Sequence, residues 1–337
     1  MTKPPNREQG FILVVTLWML AIITIGAAYF AERVAHSINL AMQSRETTEA
    51  LIDIASTRAE ILFRLGTAKV NGFGLGPTPI EAIALDNRPY RGIGQDTVRL
   101  QDSRGLININ FIQPDMLRRL LGQMGVPAES RETLLDTLND YTDTDDLRRL
   151  NGAEAAEYRA RDLPPPPNEW LITPWQLQNI IGWREQSALW REQRLPELLT
   201  TARVIGFNPN TAPREALAAL PGSSLEIADR LMQTRRVKLF TDASELSKVT
   251  GQGGFDTESL LFFPGHNVRL TQESDKIPWA LRYQITLTPL NDFAPWRIDY
   301  YLKIGSTPPA QHANLPQPTV LALPPRATLA ATADTTF

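Results

Sequence analysis

The 337-residue chain contains no cysteine. Disulfides, thiol nucleophiles and thiolate metal sites are therefore excluded together, and the redox compartment stays open. Its three histidines, His36, His266 and His312, are too scattered for a histidine metal centre. Charge bias is missing as well: 34 basic against 37 acidic side chains leave −3, so nothing global suggests a nucleic-acid partner. No glycine-rich phosphate loop follows a strand, and no nucleophile has a positioned base. No catalytic residue is assigned, and the chain is not expected to be an enzyme. What it does have is 42% hydrophobic and 8% aromatic residues, enough for real cores, and a length that allows two or three packed units.

Phe11 to Phe30 runs for twenty residues without a charge. As a helix this is about 30 Å long, the thickness of a bilayer's hydrocarbon core. A secretory signal peptide has a shorter apolar stretch and then a cleavage site. Here the run continues unbroken into polar helix-like sequence as far as residue 65, so residues 11–30 read as a membrane helix and 31–65 as its continuation. Before it, Met1 to Gly10 is short and polar, carries Lys3 and Arg7, and ends in glycine directly ahead of Phe11. This resembles the class III leader of type IV pilins and pseudopilins. The resemblance implies that a prepilin peptidase cuts after Gly10 and methylates Phe11. It also implies one inner-membrane helix with a cytoplasmic N-terminus and a periplasmic body. Gln9 departs from the basic residue usual there.

Most pilin-like subunits keep a glutamate at the fifth mature position. An unpaired carboxylate in lipid is costly, so it is kept where a neighbour's N-terminal ammonium can meet it. This chain has Val15. Lack of that glutamate resembles protein K of type II secretion, and it implies a subunit at a filament tip with none above it.

Residues 66–105 are loop-rich and then strand-like, with Val98 and Leu100 alternating with polar residues before a turn at 102–105. Two similar outlines follow. Asn108-Ile-Asn110 precedes a helical pattern, and Asn208-Pro-Asn210 precedes another, each with a proline near the first turn and a glycine-containing break between two helices. The asparagines are expected to cap those helices. The insertion is predicted over 106–265, as units 106–195 and 204–265. Helix-hairpin-helix units also bind DNA, so a membrane-anchored DNA-uptake protein is the alternative. However, Ser223 and Ser224 follow Gly222 where a second glycine is wanted, and 208–250 holds six basic against five acidic residues. Residues 281–287 and 296–304 alternate as an antiparallel pair with one buried face. Residues 306–337, rich in Pro, Ala and Thr, read as disordered. Trp170, Trp175, Trp183 and Trp190 read as core or partner surface.

The expected fold class is α+β: a pilin-like long N-terminal helix with a small antiparallel β-sheet, interrupted by a large all-α insertion of helix-hairpin (SAM-like) type. That order resembles protein K along most of residues 1–305. The densest chemistry is Asp140, Asp143, Asp145 and Asp146, followed by Asn151-Gly152-Ala153-Glu154 and Glu157-Tyr158. Carboxylates at alternate positions can wrap a hard cation. Counted from Asp143 the spacing imitates an EF-hand, but Leu147 and Arg148 stand at its fifth and sixth positions, so it is not one. By pattern alone, pairing of these acids with Arg148, Arg149, Arg159 and Arg161 is the blander reading. The stretch is similar to a signature of protein K, whose helical domain binds calcium. The resemblance implies a structural Ca2+ at Asp140, Asp143, Asp145 and Glu154, with Asp146 and Glu157 within reach and Asn168 able to add an oxygen. It further implies other minor pseudopilins as partners, in support of the export of folded proteins across the outer membrane.

Overall fold

The computed structural model describes residues 9–94, 96–111, 113–191, 194–251, 253, 258–305 and 319–325. It divides into two units, 1–52 and 53–337. Helix α1 (Gln9–Thr67) begins in the first. There the side chains of 11–30 are almost all exposed, and α1 is long and apolar enough to cross a membrane. The hydroxyls of Thr16 and Thr24 donate back to the carbonyls of Leu13 (2.9 Å) and Leu20 (2.7 Å), so these polar groups are satisfied inside the helix. Most of the expected leader, residues 1–8, lies outside the described residues. Gly10, Phe11 and Val15 fall in the first turns of α1.

In the second unit a short hairpin, β1 (Val70–Asn71) and β2 (Gly74–Leu75), leads to β3 (Asp86–Arg91) and β4 (Asp96–Asp102). The insertion then holds β5 (Ile107–Asn108), α2 (Pro114–Gln123), α3 (Ala128–Thr142), α4 (Ala155–Arg159), α5 (Ser187–Trp190), α6 (Arg194–Leu198) and β6 (Leu199–Thr200). Its second half holds α7 (Arg214–Ala218), α8 (Leu225–Val237) and α9 (Ala243–Thr250). The chain returns as β7 (Asn267–Ser274), β8 (Trp279–Leu287), β9 (Trp296–Gly305) and β10 (Leu321–Ala322). The main sheet has the order β10-β3-β4-β7-β8-β9, antiparallel throughout except for the parallel β10–β3 pair.

Residues 53–67 of α1 pack on one face of this sheet. Arg58 donates to the Tyr283 hydroxyl at 2.6 Å, and Gln272 donates to the carbonyl of Ile54 at 2.8 Å. On the other face Arg269 reaches the carbonyls of Pro196 and Glu197, while Arg282 pairs with the Glu197 carboxylate at 2.7 Å. Strand β8 is consequently buried on both faces, which corrects the expectation of one. Its alternate residues Arg282 and Gln284 look solvent-facing by polarity, but Arg282 pairs with Glu197 and Gln284 donates to the Ser103 hydroxyl.

Because β4 and β7 are neighbours, with Asp102 opposite Val268, the insertion leaves and re-enters at one point. Asp102, fully buried, holds that neck. One carboxylate oxygen accepts from the amides of Arg104 (3.1 Å) and Gly265 (3.0 Å), just after the outgoing strand and just before the returning one. The other accepts from Asn208 Nδ2 and Thr211 Oγ1, both at 2.9 Å. Gly105 is required here, since a Cβ would lie 2.7 Å from Thr211 Oγ1 and 2.8 Å from Gln101 Nε2.

The paired asparagines do not cap the helices, a second correction. The residues preceding α2 and α7 are Gln113 and Pro213, and neither makes a side-chain cap bond. Asn110 instead clasps Leu171 through both its amide and carbonyl and reaches the carbonyl of Thr201. Asn210 clasps Phe240 in the same way and reaches the carbonyl of Phe262. The preceding asparagine folds back onto the amide of the second at 2.9 and 3.0 Å, and this Asx turn ends before the helix begins. Each unit is closed by a parallel contact, β5 with β6 and Phe207 with Leu260, so the insertion is not wholly helical. In the tail, residues 306–318 and 326–337 lie outside the described residues. Residues 319–325, expected to be disordered, instead carry β10, and Arg64 donates to the carbonyl of Pro324 at 2.8 Å.

Two outcomes follow from this packing. Asp102→Ala orphans several buried donors and lowers unfolding free energy by about 3–5 kcal/mol, measured by urea denaturation; cleavage in limited proteolysis then appears near 104 and 265. Asp96, buried at the start of β4 between Thr57 and Gln272, has its carboxyl pushed up to about 6, chiefly by burial, with Asp53 adding to it. The folded chain then holds a proton that the unfolded chain releases near 4, so stability falls as pH rises from about 4 to 6. Asp96→Asn raises stability at pH 7.5 by about 1–2 kcal/mol, allowing for solvent screening, and leaves it unchanged at pH 4.

Candidate metal centre

Helix α3 ends where Asp143 turns extended, and the acidic loop begins. Asp145 Oδ1 accepts the amide of Leu147 at 2.8 Å, an Asx turn that reverses the chain. Arg149 comes back onto Asp140: its amide meets the carboxylate at 3.1 Å and its guanidinium at 2.7 Å. The same guanidinium nitrogen lies 2.5 Å from Asp143 Oδ2. Asn151 fastens the loop to Asp136 of α3. Gly152 then passes so close that a Cβ would sit 1.9 Å from Asp140 Oδ2. That approach is why a glycine precedes Ala153 and Glu154, and it buries both.

Glu154 stands at the start of α4, where Glu157 accepts its amide at 3.0 Å. Glu157 is also paired with Arg148 at 2.9 Å. Among the described residues, both carboxylate oxygens of Glu154 are buried and accept no hydrogen bond, and the same holds for Asp143 Oδ1 and Asn168 Oδ1. Asn168 is held in the left-handed region (φ 52°) while its Nδ2 donates to the carbonyl of Asp145 and to Asp146 Oδ1. Burial, then the charges of Asp140, Asp143, Asp146 and Asp145, push the Glu154 carboxyl up to about 7.

Of the residues singled out from sequence, Asp140, Asp143, Asp145, Asp146 and Glu154 thus face one locality, whereas Glu157 is turned to Arg148 and the α4 backbone. Arg149 is the cation that Asp140 and Asp143 hold, and among the described residues no three acidic or histidine side chains form a closed ligand cluster. Even so, four buried oxygens without donors beside a carboxyl that resists ionising are the surroundings a hard cation relieves. Asp143, Glu154 and Asn168 could supply ligands, with Asp145 and Asp146 at the rim. The close approach at Gly152 is not legible from sequence; a glycine two positions before a buried acid is its only signal.

The second hairpin is differently occupied. Ser224 caps α8 by accepting the amide of Ile227. Arg214 pairs with Asp229, Lys238 with Glu245, and Arg235 is spent on the carbonyls of Pro209 and Ala212. Half of the basic side chains that could meet a phosphate backbone are already committed.

Residues 99–190, from β4 through the acidic loop, match the model of the type II secretion system (T2SS) protein K family. Over that stretch, which is less than half of its length, the chain is similar to the protein K family. No curated protein matches it. The fold is similar to a chain from the crystal structure of the GspK-GspI-GspJ complex of the enterotoxigenic Escherichia coli type 2 secretion system. The two share 17% identity at a TM-score of 0.56, over 79% of this chain and 99% of that one. The α+β class and the long N-terminal helix agree with this protein K-like architecture, and the acidic loop lies inside the matched segment.

Proposed function

We propose that the chain is a minor pseudopilin that occupies the tip of the periplasmic pseudopilus and supports export of folded proteins across the outer membrane. The observation that carries this is the protein K segment at 99–190, set within an α+β body behind one long apolar helix. Two physical features support the position at a tip. The insertion between β4 and β7 adds bulk that a repeating filament would have to accommodate at every subunit, whereas an end does not. Val15 gives a neighbour's terminal ammonium no carboxylate to pair with. The role is structural: assembly with other minor pseudopilins, after prepilin peptidase has cut at Gly10 and methylated Phe11 in the inner membrane. The full chain, co-expressed with minor pseudopilins I and J, is expected to co-purify with both in detergent. Recovery of the chain alone, together with tight binding to duplex DNA, overturns the reading in favour of DNA uptake.

Calcium belongs to the same proposal as a structural ion at Asp143, Glu154 and Asn168, with Asp140, Asp145 and Asp146 supplying charge around it; Glu157 orders the turn that presents Glu154. When bound, the ion would neutralise the acidic loop and hold α3 to α4. The Glu154 carboxyl must lose its proton for this, so the ion's effect fades as pH falls through about 7. Calcium at a hundred times its Kd is expected to raise stability by about 2.7 kcal/mol at pH 8 and far less at pH 5.5. Glu154→Gln is expected to abolish the response while folding normally. A melting temperature indifferent to calcium and chelator at pH 8 removes the ion from the proposal and leaves the pseudopilin assignment standing.

A further inference from the structure

Where the two helical units meet, the surface carries a group of exposed apolar side chains. Ile205 is 74% exposed, Ile172 61%, Trp170 44% and Phe111 40%. They are contiguous. Phe111 meets Trp170 edge-on at 4.9 Å, and Phe111 and Ile205 together line a cavity of about 270 Å³ with Ile107, Met116 and Phe207. That volume admits a large side chain. Over the Trp170 ring, 5.0 Å from its centre, lies the guanidinium of Arg203, and among the described residues no carboxylate pairs with it.

The backbone beneath this patch is held firmly. Asn110 clasps Leu171, between Trp170 and Ile172, and the Thr201 hydroxyl donates to the carbonyl of Ile172 at 2.6 Å. Asn108 Nδ2 donates to the carbonyls of Ala202 (2.8 Å) and Val204 (3.1 Å), on either side of Arg203. The loops are therefore fixed while the side chains they present remain uncovered, so a binder has little ordering entropy to overcome.

We propose that this face docks a protein segment carrying an apolar anchor beside a carboxylate: the anchor fills the cavity, and the carboxylate meets Arg203. Aromatic and arginine side chains around a pocket are the composition of interface hot spots. The unpaired guanidinium selects an acidic partner and repels a basic one. A nucleic acid is disfavoured, because one free cation cannot replace the many that a phosphate backbone needs. A second copy docking through the same face would bring Arg203 towards Arg203 across the two-fold axis, so self-pairing is disfavoured as well. The inference stands whether or not the chain sits at a filament tip.

The test is selection of a random peptide library, displayed on phage, against the full chain in detergent, with the enriched peptide then measured by fluorescence anisotropy. Enriched peptides are expected to place Asp or Glu next to, or one removed from, a large apolar residue. Arg203→Glu and Ile205→Asp are each expected to weaken binding about tenfold or more, while Arg203→Lys keeps most of it. Both positions lie on the rim of the patch, and unchanged melting temperatures verify that the variants fold. The proposal is overturned by failure to enrich any peptide, by enriched peptides without an acid, or by affinities that ignore both Arg203→Glu and Ile205→Asp. It is equally overturned by concentration-dependent self-association that Ile205→Asp abolishes, which would make this face a contact between copies.

Discussion

Everything beyond the sheet hangs from the buried carboxylate of Asp102. An inserted domain that leaves and returns through adjacent strands has one neck, and here the outgoing and returning backbone amides share a single oxygen of this side chain. The other oxygen takes Asn208 and Thr211 from the second helical unit. Burial pushes the carboxyl up, against the lowering effect of its four donors, so it tolerates its site because the donors converge on it. A flexible tether would let the insertion rotate. Four hydrogen bonds to one rigid group do not.

The same insertion explains the sheet's unusual polarity. Arg269 and Arg282 are almost fully buried on the face it covers, and Glu197 of α6 meets both. Trp175 adds its ring to Arg282 at 5.6 Å. Two guanidinium groups against one carboxylate is a costly arrangement in a core, offset in part because carbonyls of Pro196 and Glu197 and the Thr271 hydroxyl accept further charge-assisted bonds, while Arg269 Nε and Arg282 Nη1 have no acceptor among the described residues. The cost gives direction: an apolar interface would let α6 slide along β7 and β8, whereas these bonds define one position. In the acidic loop the logic is reversed. Asp140 has its cation in Arg149, but Glu154 has been placed among carboxylates with no donor to its own among the described residues, and its reluctance to ionise follows from burial and those charges.

Much of this was legible in the order of residues. The uncharged run 11–30, the strand ending at Asp102, the helical patterns through Leu117, Leu121, Leu134 and Leu138, and the β-pairing of 281–287 with 296–304 are local periodicities, which the chain displays without reference to anything distant. The acidic loop was legible as a loop with too many carboxylates. Its division of labour was not. Whether Glu157 or Glu154 faces the cluster depends on Arg148 and on the α4 backbone, and Asp140's burial depends on Gly152 twelve positions later. The asparagine pairs were visible as a repeat but misassigned, because capping is the commonest use of an asparagine before a helix and clasping a loop 61 residues away leaves no local mark.

Composition and periodicity by themselves determined a long apolar helix, a segmented body and a polar loop rich in acids, since each is a property of neighbours along the chain. Tertiary structure alone decided that β8 is covered on both faces, that a tail segment joins the β3 edge, that Asp102 is a clamp rather than a turn residue, and that Arg203 meets no carboxylate among the described residues. All four are set by which groups compensate one another across long sequence separations. A buried charge or an uncovered apolar side chain has no meaning until its partners, or their absence, are in place.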